Sequence, residues 1–172
     1  ESRVYAEDPF RNFLPSTGRL VYYRPPADDP NVRVDTGVYE GGEVSMFYDP
    51  IIAKLITRGD TREEAISHMR AALDRFIING VSNNLSFLSA LMAHPRFVAG
   101  NITTHMIGEE YPDGFSAEDL PHEDPAIIIA VAAAMARRYR DRAAQIAGQL
   151  GGYERQVPNE WVVLMNGEYH PV

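Results

Sequence analysis

The chain has 172 residues, 45% hydrophobic and 23% charged, which suits one or two globular units with a real core and excludes a disordered segment. Its 16 Lys and Arg stand against 24 Asp and Glu, and the net charge of -8 argues against a nucleic-acid partner. No cysteine is present, so disulfides, a thiolate nucleophile and zinc–cysteine sites are excluded, as fits a reducing compartment.

In chain order, "SRVYAED" (2–8) alternates Val4 and Ala6 with polar neighbours and predicts a short strand. Residues 8–18 read as loop, punctuated by Pro9, Pro15 and Gly18, and "RLVYYR" (19–24) is rich in strand formers. After the turn "PPADDPN" comes "VRVDTGVY", in which Val32 and Val34 point to one face and Arg33 and Asp35 to the other. The apolar run 46–59 is read as a buried strand, from its isoleucines and its flanking Pro50 and Gly59. Residues 60–80 give the clearest helix, with a Thr61/Glu64 capping box, a stripe of Ile66, Met69, Leu73 and Phe76, and Gly80 as C′. A second helix is predicted over 84–94 with the stripe Leu85, Leu88 and Met92, and a short third over 103–111.

The Pro/Gly/acidic stretch 112–124 reads as a linker between residues 1–111 and 125–172. Beyond it Asp124 suits an N-cap and Pro125 the first helical position of a long helix to residue 150, buried in its first half. Its expected stripe is Ile128, Ala132, Met135, Tyr139, Ala143, Ile146 and Leu150. The apolar run 126–136 falls short of the roughly 20 residues that cross a bilayer, so no membrane span is expected. Asn166-Gly167 between strand-like flanks predicts a hairpin. The chain opens without Met in strand-like sequence and closes just after that hairpin turn, and so reads as a piece of a longer polypeptide.

No complete active site is visible. There is no P-loop or nucleophile elbow, and His68, His94, His105, His122 and His170 lack metal-ligand spacing, so no metal site is predicted. The basic run 137–142 reads as a solvated helix face. Arg33 is a long cation on a stiff strand, either a surface residue or a charge aimed into a site.

Six blocks in series, "RVYAEDP", "FLPSTGRL", "VRVDTGVYEGG", "FYDPIIAKLITRGDTREEAI", "INGVSNNLSFL" and "RFVAGNITTHMI", resemble the C-terminal part of a biotin carboxylase domain. "YPDGF", the long helix and "EWVVLMNGEYHPV" resemble the α subunits of propionyl-CoA carboxylases, where a linking (BT) domain, a long helix held by a β-barrel, follows. The resemblance implies an α+β fold. It would be the end of an ATP-grasp-type biotin carboxylase, an antiparallel sheet with flanking helices, followed by a long helix and the beginning of an antiparallel barrel. It implies a ligase that carboxylates biotin with ATP, Mg2+ or Mn2+ and bicarbonate, and passes the carboxyl group to propionyl-CoA on a carboxyltransferase β subunit. The biotin carrier domain would belong to the same parent chain, in bacterial cytoplasm or the mitochondrial matrix.

By the same resemblance Arg33 faces the biotin ureido oxygen, where a fixed guanidinium stabilises developing negative charge. Phe13 matches a loop position against biotin, with a hydrophobe tucked into its own domain as the other reading. Thr104 and His105 match positions near the adenine of ATP, with helix start and packing as the alternative. The phosphate-binding, metal-binding and bicarbonate-activating residues lie upstream in the family and the biotin attachment site downstream, so the piece alone is expected to be inactive. Competing readings are a non-catalytic docking module, with Arg33 structural, and the α subunit of a sibling carboxylase for another acyl-CoA.

Overall fold

The computed structural model describes residues 1–45, 47–121, 125–145 and 157–172, and the chain divides into two units, Glu1–Pro121 and His122–Val172. In the first, the strands are β1 (Ser2–Tyr5), β2 (Glu7–Asp8), β3 (Leu14–Pro15), β4 (Gly18–Arg19), β5 (Tyr22–Arg24), β6 (Val32–Thr36), β7 (Glu43–Val44), β8 (Ile51–Thr57) and β9 (Ile77–Asn79). Its helices are α1 (Arg62–Asp74), α2 (Leu85–Ala93), α3 (Pro95–Val98) and α4 (Met106–Glu110). The second unit holds α5 (Pro125–Ala144) and the hairpin β10 (Val162–Met165) and β11 (Glu168–Pro171).

A three-stranded antiparallel sheet, ordered β1–β8–β6, organises the first unit. Its centre, β8, comes from the apolar run read as a strand, and Ile52, Ala53 and Leu55 are buried in it. The strand is shorter than predicted. Met46 lies outside the described residues, and Phe47 and Tyr48, expected in the core, are more than 80% exposed. Pro50, without an N–H to give the ladder, marks where pairing begins. In β6 the alternation holds: Val32 is buried, Val34 packs on the core, and Arg33 and Asp35 face outward.

The outer edge of β1 is closed by one side chain. Asn84 is buried, its Oδ1 accepts from the Tyr5 N–H at 2.9 Å, its Nδ2 donates to the Arg3 carbonyl at 3.2 Å, and its own N–H donates to the Tyr5 carbonyl at 3.2 Å. A side-chain amide thus does the work of a fourth strand. Asn84→Ala strips partners from two backbone groups. It is expected to cost about 1–3 kcal/mol in urea unfolding, whereas Ser82→Ala, at an exposed position, stays within ~0.5 kcal/mol.

Helix α1 starts as predicted at Thr61, whose hydroxyl accepts from the Glu64 N–H at 3.2 Å. The Glu64 carboxylate reaches back to Asp60 N–H at 2.8 Å, one residue before the position a capping box uses. The helix ends at Asp74, well short of residue 80. Ile77–Asn79 leave it to pair with β5, Tyr23 opposite Ile78. Two β-branched residues beside a partner strand gain more from the ladder than from another helical turn. Gly80 is therefore no helix cap. At φ 107° it lets the chain pass against the Arg19 carbonyl, where any Cβ would collide. Met69, Leu73 and Phe76 still reach the core, together with Leu88 and Met92 of α2.

In the second unit α5 begins at Pro125, and Asp124, Ile146 and Leu150 lie outside the described residues. The buried residues of α5 are Ile129 and Ala133. The predicted stripe is off by one position: Ile128, Met135 and Tyr139 are 60–78% exposed, and most of the first half of the helix faces outward. The segment 126–136 is apolar all round, so its periodicity carries no contrast from which to choose a face. The Arg140 guanidinium stacks 4.8 Å from the Trp161 ring, tying α5 to the hairpin. The turn is as predicted, with Asn166 at φ 52° and Gly167 at φ 85°, the left-handed pair a type I′ turn demands.

Candidate functional site

Register brings together a row of charges that spacing alone could not. In the β1–β8–β6 sheet Arg3 stands opposite Lys54, and Lys54 opposite Asp35. Arg33 is two residues along the same face. Three cations and Asp35 thus share the outer face of a sheet whose inner face is Val4, Ala53, Leu55 and Val32. Arg3 escaped the reading of the sequence, although "SRV" repeats the pattern of "VRV". In both, a cation sits between residues turned to the opposite face, Ser2, Val4 and Val32 buried and Val34 half-buried.

Each arginine is held. Arg33 Nε lies 3.2 Å from Asp35 Oδ1 and its Nη2 donates to Asp35 Oδ2 at 3.2 Å, a two-point grip that orients the guanidinium while two-thirds of the side chain stays exposed. A recess of about 340 Å3 beside it is lined by Asp28, Asn31, Arg33, Thr57 and Arg58, among others. Arg3 is held by Tyr5 and then Glu1, which keep its proton more firmly than usual, with Glu1 Oε1 at 3.5 Å. The contacts of Arg33 with Asp35 use Nε and Nη2, so the fork is aimed without being wholly consumed.

Phe13 sits elsewhere. Asn12 and Phe13 both have left-handed backbone, φ 52° and 57°, a conformation that persists only when packing over-determines it. The packing is aromatic: the Phe13 ring meets Phe87 edge-on at 4.9 Å, in a cluster with Phe115 and Tyr111. Thr104 and His105 are exposed in the turn before α4, with Thr104 Oγ1 3.4 Å from His105 Nδ1 and the His105 N–H donating to Thr103 Oγ1 at 3.3 Å. Among the described residues no hydrogen bond, ion pair or ring contact joins Arg33, Phe13 and the Thr104–His105 turn. No group of three or more potential metal-ligating side chains occurs among those residues either, and no helix there is long and apolar enough to cross a membrane.

A second charged cluster was invisible in the sequence. Arg96 of α3 donates through Nη1 to Glu109 Oε2 at 2.8 Å and to Glu110 Oε1 at 2.6 Å, and His94 Nε2 lies 3.2 Å from Glu110 Oε2. The Arg96 hydrogen bond, then His94, hold the Glu110 carboxyl below its ordinary value. A carboxyl depressed in this way contributes stability above the ordinary carboxylate range and loses it as pH falls through the lowered value.

Comparison with known proteins accounts for most of the chain. Residues 1–109 match the family of the biotin carboxylase C-terminal domain, and residues 128–172 match the propionyl-coenzyme A carboxylase BT domain. The propionyl-CoA carboxylase alpha chain of Ruegeria pomeroyi is 50% identical over 191 residues, which cover 100% of this chain and 28% of that protein. The mitochondrial propionyl-CoA carboxylase alpha chain of Homo sapiens is 43% identical over 144 residues, covering 83% of this chain and 20% of its own length. The biotin carboxylase domain dimer of Hydrogenobacter thermophilus 2-oxoglutarate carboxylase, solved with MgADP, ADP and bicarbonate, superposes with a TM-score of 0.62 at 33% identity. It covers 71% of this chain and 25% of that one. The chain therefore spans about a quarter of the length of these relatives, and the resemblance carried by the six sequence blocks is borne out. With 109 of its 172 residues matched, the chain belongs to the family of the biotin carboxylase C-terminal domain.

Proposed function

We propose that this chain is part of the α subunit of a biotin-dependent acyl-CoA carboxylase, a ligase. It contributes the end of the biotin carboxylase domain and the start of the BT domain that docks on a carboxyltransferase β subunit. The observation that carries the reading is the order of two family matches along one chain, residues 1–109 and then 128–172. The BT match favours propionyl-CoA over the acyl groups of sibling carboxylases. Helix α5 with its hairpin would be the first part of an antiparallel barrel. Relatives from a bacterium and from mitochondria agree with bacterial cytoplasm or the mitochondrial matrix.

When bound, biotin supplies the nitrogen that takes the carboxyl group, and ATP with its metal activates bicarbonate. The part this chain plays is electrostatic positioning. Arg33, aimed by Asp35 and anchored by the buried Val32, presents a fixed positive charge where a ureido oxygen gains negative charge. Phe13 would lie against biotin as the resemblance implies, although its ring packs on Phe87, as the reading of a hydrophobe tucked into its own domain requires. The Thr104–His105 turn lies toward the adenine of ATP. The carrier domain would lie in the same parent polypeptide.

The docking reading has its own support in the exposed apolar residues of α5, Ile128, Val131, Met135 and Tyr139, a face that would suit a subunit contact in either case. Two assays test the proposal. The 172-residue chain alone is expected to carboxylate free biotin no faster than background, while the full polypeptide containing it does so with ATP and bicarbonate and carries one biotin. Turnover by the isolated chain would show that the missing machinery is not needed. A full polypeptide with neither biotin nor ATP-dependent carboxylation would leave a docking module.

A further inference from the structure

The Thr104–His105 turn is the C-terminal end of an exposed loop, residues 99–105, between the short helices α3 and α4. Its backbone closure lies at the two ends: Ala99, Gly100 and Asn101 N–H donate to the Pro95, Phe97 and Arg96 carbonyls, Met106 N–H to the Thr103 carbonyl, and Glu109 N–H to the His105 carbonyl. Met106, buried at the start of α4, anchors one side. Two side chains from its near side span the loop, Arg96 and His94. Arg96 Nε donates to the Asn101 carbonyl at 3.4 Å, on the outgoing limb. Its Nη1 donates to Glu109 and Glu110, on the far side. His94 completes the arrangement: Nδ1 accepts from the Arg96 N–H at 3.2 Å, which leaves the proton on Nε2 to donate to Glu110. Glu110 is thus gripped from two residues of one short segment, and α4 cannot slide without breaking both contacts.

From this geometry we infer that Arg96 is a positioning residue for nucleotide binding, bracing the loop that carries Thr104 and His105 so that the turn is presented in one place. The inference rests on the proposed placement of that turn toward adenine. A planar guanidinium suits the task, because one rigid fork satisfies a carbonyl and two carboxylates at once. A lysine has the charge and three donors, but all radiate from one nitrogen and lack the separated Nε and Nη1 that reach the two sides of the loop. The brace joins residues 13 and 14 positions apart across a loop with no regular structure, so no local pattern announces it.

The test uses the full α subunit. Arg96→Met keeps the aliphatic stem and removes the fork. The KM for ATP is expected to rise about tenfold, with kcat and the KM values for bicarbonate and biotin within twofold of the parent. Glu109→Gln/Glu110→Gln should move KM for ATP the same way, and Arg96→Lys should recover part of the loss. Amide exchange at residues 103–107 in the same proteins should quicken about tenfold in Arg96→Met. Unchanged KM for ATP, whether or not exchange quickens, overturns the inference, and so does an equal loss for all substrates, the mark of a merely structural arginine. If the parent protein shows no ATP-dependent carboxylation, the proposed function has failed instead, and the exchange rates still decide whether Arg96 braces the loop.

Discussion

Arg33→Ala in the full α subunit is expected to lower biotin carboxylation on the order of several hundredfold, with the protein still folded and its KM for ATP within twofold. The size is that of losing one preorganised charge donor whose stabilisation is realised only as charge develops. Arg33→Lys should recover little, since an ammonium on a flexible stem keeps the charge but not the fork that Asp35 orients. The decisive comparison is Arg3→Ala. Arg3 lies on the same sheet face, across Lys54, and is as open to solvent as Arg33. A several-hundredfold loss for Arg33→Ala with a smaller one for Arg3→Ala supports the proposed role. The reverse order would mean that the charge comes from β1 and that Arg33 is a surface residue locked to its neighbour.

Leu55→Ala should produce the largest loss of stability, about 2–5 kcal/mol in urea unfolding of the 172-residue chain. Leu55 has no exposure, lies on the central strand, and stands between Ser2 on one side and Val34 on the other. Removing its three carbons opens a void beneath both ladders at once, and packed neighbours such as Met69 and Leu73 can refill it only in part. The adjacent Lys54→Ala, on the charged face, should change stability by no more than ~0.5 kcal/mol. Equal effects of the two would mean that β8 is not the covered centre of this sheet. The pair also separates folding from chemistry, because Lys54 adjoins the arginines and Leu55 does not touch the face they share.

Local chemistry made several elements legible. The alternation around Arg33 put both valines inward, Thr61 capped α1 as its side chain requires, and Asn166-Gly167 made the hairpin turn that its left-handed angles permit. What failed depended on partners far along the chain. Ile77 and Ile78 continue a helical pattern and become strand only because Arg24 and Tyr23 lie ready to pair. The inward face of α5 could not be chosen from a segment apolar on every side. At the candidate site, one arginine on a stiff strand could be read directly. The row Arg3–Lys54–Asp35 needed the register of two ladders, and the Arg96 brace needed the path of a loop.

The strand order β1–β8–β6 also sets a timetable. During synthesis β1 emerges first, yet Leu55, the residue that pairs with Ser2, is polymerised about fifty residues later, a wait of roughly 3–10 s at ~5–20 residues per second. Strand β6 waits for the same β8. Until then two strands destined for one sheet sit on the nascent chain with no template between them, and Val4 and Val32, both destined for the core, face water. The arginines beside those valines would then serve as gatekeepers that discourage the bare segments from pairing with other chains. A substitution at Arg3 or Arg33 that removes charge should lower soluble yield before any assay of the finished protein begins.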